Sequence, residues 1–455
     1  MTEERISAHA SRRPAGQRAG RHRISTLLLS RRTALTVMLS GIASVLAGYL
    51  VPQRFSTDPA ELTRWRASHS AIAAAVRTLG LDHVYSTWWF AALVALFLTA
   101  LVRATAHQVR AAARRTRSGV RMPDTACAPM TSDPASLASG LRRLGYMRVR
   151  KDDVAARFVK HPWGYWGGVV LHAGMVTSVA AALVFVLTVQ RGTVHLYEGE
   201  SLKPGDPWGR EEHGTLARPL LLPGVLRVDS IHPDYWTNDD LRQLTTRLTL
   251  AGSSAPRRAS VSVNRTAGFD GVAIFQSQLF GHAFGVELRD ASGNVTPVLM
   301  EVAAPRRRNL PSYADFEPRG IPYRLRAKYY ASAARDSMTG EPSLTLRLTS
   351  GSRVIGQATL VRGRPVRIGP YQVTLRESAW WTEMVFARTP GVSVIFLGFG
   401  LILLGALLVY ATAPREVIVR QRENGMELAW RAWRFPDFYR EEYARIVALA
   451  SGGDR

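Results

Sequence analysis

The sequence predicts a mixed membrane protein, with four transmembrane α-helices and a large extracytoplasmic all-β domain that is antiparallel and sandwich-like. Three observations carry that expectation. Four apolar runs are each about as long as the roughly 20 helical residues that cross a hydrocarbon core. Between the third and fourth runs, residues 190–388 change to a period-two alternation broken by Gly, Pro, Asn and Asp, the pattern of half-buried antiparallel strands. Arginine is concentrated in the segments on one side of the runs, which orients the chain by the positive-inside rule.

Composition narrows the function classes. The formal net charge is +24 over 455 residues, but the arginines sit beside apolar spans, which points to membrane lipid, and no zinc finger or other base-reading motif accompanies them. No nucleic acid is expected as a partner. The single cysteine, Cys127, excludes an intramolecular disulfide and a Cys-x-x-Cys redox pair.

Taken in order, residues 1–32 form a basic, disordered cytoplasmic tail carrying Arg5, Arg12, Arg13, Arg18, Arg21, Arg23, Arg31 and Arg32. Residues 33–51 form the first transmembrane helix. The run is longer than a signal-peptide core and ends in Val-Pro-Gln without a small-x-small cleavage pattern. Ser40, Ser44 and Gly48 line one of its faces. Residues 52–86 are an outer loop of nearly balanced charge. An aromatic cluster from Tyr85 to Phe90 then meets the interface, and residues 87–105 form the second helix, with Arg103 snorkelling inward. Residues 106–162 are a basic cytoplasmic subdomain, with a short helix beginning at Pro134 and closed by Gly145, then a β-like stretch over 146–159.

Residues 163–189 form the third helix. In the β domain, 190–388, Leu244, Thr246, Leu248 and Leu250 alternate with polar residues, as do Leu344, Leu346 and Leu348. Gly271 to Gln276 and Gly369 to Gln372 suggest a faint internal repeat. His195, His213, His232 and His282 lack metal-ligand spacing and are assigned to the surface or to loops. Residues 391–413 form the fourth helix, with Gly391, Gly398 and Gly405 seven apart on one face. Residues 414–455 are a cytoplasmic tail in which Trp430, Trp433, Phe435 and Tyr439 mark a short amphipathic helix.

The candidate site is in the third helix. His172 is its one strongly polar side chain, and an ionisable group at membrane depth is costly enough to be a functional hypothesis by default. Its alternative role is to bond a carbonyl on a neighbouring helix. Gly164, Gly168 and His172 follow at i, i+4 and i+8, a stripe with no bulk beside the imidazole. Such a slot suits close helix packing, and equally a flat ligand whose metal faces the ring nitrogen.

Several motifs, in this order, resemble the ResB family of cytochrome c biogenesis proteins, also called CcsB-like. Gly48-Tyr-Leu-Val-Pro52-Gln53 is similar to the family's ending of the first span, and Ser86-Thr-Trp88-Trp89-Phe90 to its opening of the second. Gly167-Gly-Val-Val-Leu-His172-Ala-Gly174 resembles its third-span histidine motif. Val263-Asn264 with Gly271 and Phe275-Gln276 resembles its outer-domain series, and Pro390-Gly391 before Leu397-Gly398 its last span. The match covers about residues 33–420, and departs from the family at Phe275, where Tyr is usual, and at Thr389, where an acid is usual.

The resemblance implies a multi-pass protein of the bacterial cytoplasmic membrane with both termini cytoplasmic. It implies a System II complex with a haem-handling CcsA or ResC-type membrane protein, which exports haem b and attaches it to apocytochrome c. This chain would be a non-autonomous subunit of that cytochrome c haem lyase. His172 would be an axial ligand to the haem iron, beside Gly168 and Gly164, with His161 at the inner boundary as a candidate for the entrance or an ordinary interfacial histidine. The alternative is a structural membrane scaffold whose outer β domain binds a partner or apocytochrome without the chain itself ligating haem.

Overall fold

A computed structural model describes residues 31–117, 127–151, 155–253, 255–305, 307–331, 343–422 and 425–452. Most of the expected basic tail, 1–30, lies outside the described residues. The chain forms two compact units, one built from residues up to Gln53 with His69–Val186 and Pro390–Arg455, the other from Arg54–Ser68 and Leu187–Thr389.

The first unit holds the long apolar helices. Among the described residues three are long and apolar enough to cross a membrane: Trp88–Arg117, Gly167–Thr188 and Val392–Ala411. The first apolar run is also helical, Arg31–Leu50, but its apolar stretch, Leu35–Leu50, is shorter than theirs. The helix expected to end near 105 continues to Arg117, adding Arg110, Arg114 and Arg115 to its polar end. The expected outer loop 52–86 is largely helical, with Ser70–Leu79 in this unit and Pro59–Ser68 in the other.

Below these helices in sequence, two segments expected to be separate fold as one small domain. Its five-stranded sheet runs in the order Cys127–Met130, Gly425–Ala432, Arg415–Arg422, Ala155–Lys160, Met147–Lys151, with helices Pro134–Arg143 and Arg440–Ala450 beside it. Asp133 starts the first helix by accepting from the backbone N–H groups of Ala135 and Ser136 at 3.0 and 3.1 Å, with Pro134 at the position where a missing N–H costs nothing. Gly145, at φ 85°, turns the chain into the first hairpin strand.

The expected amphipathic tail helix is corrected here. Arg415–Arg422 and Gly425–Ala432 are antiparallel strands, and the first lies in mid-sheet, paired to Ala155–Lys160 on one side and to Gly425–Ala432 on the other. Trp430 belongs to a strand, and only Arg440–Ala450 is helical in α form. Leu137, Leu141, Phe158, Val417, Leu428 and Ile446, drawn from both segments, share one core.

The second unit is the β domain. Two 18-residue strands, Val272–Arg289 and Tyr371–Arg388, pair antiparallel at the centre of a seven-stranded sheet. Two four-stranded sheets pack on it and make two cores. In one, Leu226, Leu244, Leu248 and Val261 meet Ile274, Met384 and Phe386. In the other, Leu325, Leu344, Leu346 and Leu348 meet Phe284, Leu288 and Val373. The alternation seen in the sequence is thus the buried face of each four-stranded sheet. The two fragments of the faint repeat open the two long strands, each of which follows its own four-stranded sheet.

Candidate functional site

The histidine helix, Gly167–Thr188, is apolar all round, so its small and polar residues decide what each side can meet. One side is closed by the helix Val392–Ala411. A Cβ on Gly174 would lie 2.6 Å from Ile402 N and 2.7 Å from Gly398 O, and one on Gly167 2.8 Å from Val409 N. From the other helix, Gly398 abuts Ser178, and Gly405 abuts the backbone of Leu171. This is a small-residue seam in which two backbones touch, the packing that apolar solvent favours because burial of apolar area supplies no drive there.

His172 lies off that seam. Its Nδ1 is 2.9 Å from the carbonyl oxygen of Gly168, one turn back on its own helix. A carbonyl only accepts, so in the neutral ring Nδ1 carries the proton and Nε2 keeps its lone pair. The expected carbonyl on a neighbouring helix is not the partner. Gly168 is loosely packed: a Cβ there would meet only Gln108 Oε1, at an ordinary contact distance of 3.9 Å. The imidazole is half-buried. Its donor set and the loosely packed flank at Gly168 fit an axial bond to haem iron, for which a histidine oriented by a second hydrogen bond is the usual form.

Gly164 does not belong to that stripe. It precedes the helix, in the 3₁₀ turn Pro162–Tyr165, and a Cβ there would strike the carbonyl of Thr412 and Pro414. Its smallness serves packing. His161, at φ 55°, opens the same turn, with its ring edge-on to Trp163 and its Nδ1 buried without a partner. Burial, helped by the nearby charges of Arg415 and Lys160, lowers its pKa.

A buried polar knot holds the foot of the histidine helix to the small domain. Glu416 accepts from Arg157 Nη2 at 2.8 Å, from Trp433 Nε1 at 2.6 Å and from the Tyr165 hydroxyl. Arg157 also donates to the Arg115 carbonyl at 2.8 Å. A buried carboxylate is tolerable only when surrounded by donors in this way.

In the β domain the sequence reasoning missed two histidines. His195 is not a loop residue. It sits on the strand Gln190–Tyr197, stacked on Trp381 at 4.5 Å, with Nδ1 2.8 Å from Glu301 and Nε2 3.8 Å from Glu383. Those two carboxylates, by hydrogen bond first and charge after, raise its pKa to about 9. Tyr197 also bonds Glu301, and Arg210 and Ser277 bond Glu383. His282 is in the core, bonded to the Tyr329 hydroxyl and packed on Trp380, and burial lowers its pKa to about 3. The alternation of Val194 and Leu196 around His195 was visible, but its partners are more than a hundred residues away. Among the described residues no group of three or more His, Cys, Asp or Glu side chains is arranged to hold a metal ion.

These features define a membrane protein with a half-buried imidazole on an apolar helix and a two-lobed antiparallel β domain. The chain belongs to the ResB-like family, whose model matches residues 31–444. It is 25% identical to the cytochrome c biogenesis protein CcsB of Gloeobacter violaceus, over 94% of this chain and 91% of that protein. It is 24% identical to the CcsB of Thermosynechococcus vestitus, over 94% and 95%, and 26% identical to the CcsB of a Synechococcus strain, over 87% and 90%.

Proposed function

We propose that this chain is a subunit of a cytochrome c assembly complex that passes haem b across the bacterial cytoplasmic membrane and supports its covalent attachment to apocytochrome c. In this reading the partner is a CcsA or ResC-type haem-handling membrane protein, and His172 is an axial ligand to the cargo's iron. The chain crosses the membrane four times, with both termini and the small domain cytoplasmic and residues 190–388 outside, as the arginine asymmetry favours.

One observation carries the reading. The proton on His172 Nδ1 is committed to the Gly168 carbonyl, so Nε2 is left as an unspent donor at a flank where Gly168 has no side chain. The carbonyl bond fixes the ring's tautomer and makes Nε2 a better base, the role that outer hydrogen bonds play for ligand histidines. Keeping a neutral imidazole, rather than a charged group, at that depth lowers the cost of burying it. The scaffold reading draws on Gly164, whose smallness is explained by packing against Thr412 and Pro414.

The two are separated by His172→Gly in the complex purified with its partner. The expected result is loss of bound haem and of cytochrome assembly, with partial return of both when imidazole fills the vacated space. Full haem content and an unchanged absorption spectrum in His172→Ala would replace the ligand reading with the scaffold.

A further inference from the structure

The small domain has a pocket of about 610 Å³ between the helix Pro134–Arg143 and the sheet, within the few hundred to a thousand cubic ångströms typical of small-molecule sites. Its chemistry is divided. Ala138, Ala155, Ala156 and Met426 give it apolar surface over the buried Leu137, Phe158 and Val419, and Arg142, Arg148 and Lys151 stand exposed among its lining. Among the described lining residues the one carboxylate, Asp133, is occupied with the first N–H groups of the helix.

Elsewhere in this domain the cations near the core are matched: Lys160 and Arg415 share Glu442 at 3.1 and 2.6 Å, and Arg157 meets Glu416. Arg142, Arg148 and Lys151 have no ion pair with a described residue. Three like charges gathered on one pocket repel one another unless an anion joins them. An apolar interior with cations around it is complementary to an apolar molecule that carries carboxylates. Among the described lining residues there is no imidazole or thiol, and the charged groups are what the pocket offers a ligand.

We propose that this pocket binds the porphyrin of the haem cargo by its propionates and apolar ring, as a holding site separate from His172. The inference rests on the haem reading above for the identity of the ligand. The shared chemistry, an apolar body with carboxylate, also belongs to fatty acids, and the test separates the two. The site at His172 requires iron; this one does not.

The experiment uses the full chain in lipid nanodiscs in a His172→Ala background, titrated with metal-free protoporphyrin IX and followed by porphyrin fluorescence. Saturable binding is expected, weakened about tenfold or more when Arg142→Glu, Arg148→Glu and Lys151→Glu are combined, since charge-assisted contacts to the propionates are lost. The dimethyl ester should bind as weakly to the parent chain. Partition into lipid is the same for every variant, so the difference reads the pocket. The milder pair Arg148→Gln and Lys151→Gln guards against a folding defect and should weaken binding in the same direction. Equal binding by the charge-reversed chain, equal binding of the ester, or no binding overturns the proposal, as does displacement by oleate at concentrations comparable to the porphyrin's own. Failure of the His172 reading looks different: haem bound to the complex keeps its spectrum in His172→Ala, whatever the metal-free porphyrin does.

Discussion

The histidine helix and the β domain each fix histidine rings in place, and they do so in opposite ways. His172 makes one bond, to its own helix, and keeps a nitrogen in reserve. In the β domain, His195 has a carboxylate facing each nitrogen, and His282 is enclosed by Tyr329, Trp380 and Phe284. The two β-domain rings are bound into the fold. The ring on the apolar helix is oriented but not used up, and depth alone does not distinguish the cases. On the reading proposed above, the feature that sets a ligand apart is a nitrogen left without a protein partner among the described residues, beside a glycine.

The seam offers the largest break in that comparison. Gly174→Leu would place a side chain where Ile402 N and Gly398 O already stand within 2.7 Å, so the helix pair must separate. Loss of the folded protein from the membrane fraction is expected, as overpacking at a backbone contact leaves no rotamer to escape into. Gly168→Ala, six residues away on the open side, has 3.9 Å to its nearest neighbour. It should leave protein level and thermal stability unchanged and act only on haem affinity. A stability loss at Gly168 equal to that at Gly174 would mean that the open flank is closed in the working protein.

A smaller effect is expected at His282. His282→Ala leaves a cavity beside Trp380 and strips the buried Tyr329 hydroxyl of its partner. Together these cost roughly 2–4 kcal/mol, read as a shift of the denaturant midpoint of the full chain followed by near-UV circular dichroism. The absorption spectrum of bound haem should not change. If it does, the β-domain histidine has a role in the cargo site that its enclosure argues against.

How legible all this was depends on how local the cause was. Leu244, Leu248, Leu344 and Leu348 announced their strands because alternation is a property of neighbours, and the helix at Pro134 carried its own start and stop in Asp133 and Gly145. The tail misled because Trp430 and Trp433, three apart, imitate a helical stripe. Trp430 instead lies on the strand Gly425–Ala432, with Trp433 just beyond it, and that strand is held by Arg415–Arg422, which pairs with Ala155–Lys160 across more than 250 residues. At the site, His172 and Gly168 could be found from spacing, since their bond spans one turn. Gly164 could not be separated from them, because what limits it is a carbonyl at Thr412. The surroundings of His195 were out of reach for the same reason: Glu301 and Glu383 come from distant strands.

The smallest expected effect is a pH dependence that runs in opposite directions for the two β-domain histidines. The hydrogen bond His195 makes to Glu301, and then the Glu383 carboxylate 3.8 Å from its other nitrogen, raise its pKa from the ordinary 6.5 to about 9. A pKa raised by folding means that the protonated ring favours the native state, so its contribution is fully present below about 6.5 and is lost as the pH climbs through 9. His282 is the reverse. Burial holds it at about 3, so folding disfavours its proton, and stability falls as the pH drops below 6.5 toward 3. Because the His195 side chain is about a third exposed, solvent screens its ion pairs and the alkaline loss should be slight. The measurement is the thermal midpoint of the full chain from pH 6 to pH 10, compared with His195→Gln. The gap between the two proteins should be widest near pH 6 and close by pH 10; a gap that stays constant would show that the ring acts through its stacking on Trp381 and not through its charge.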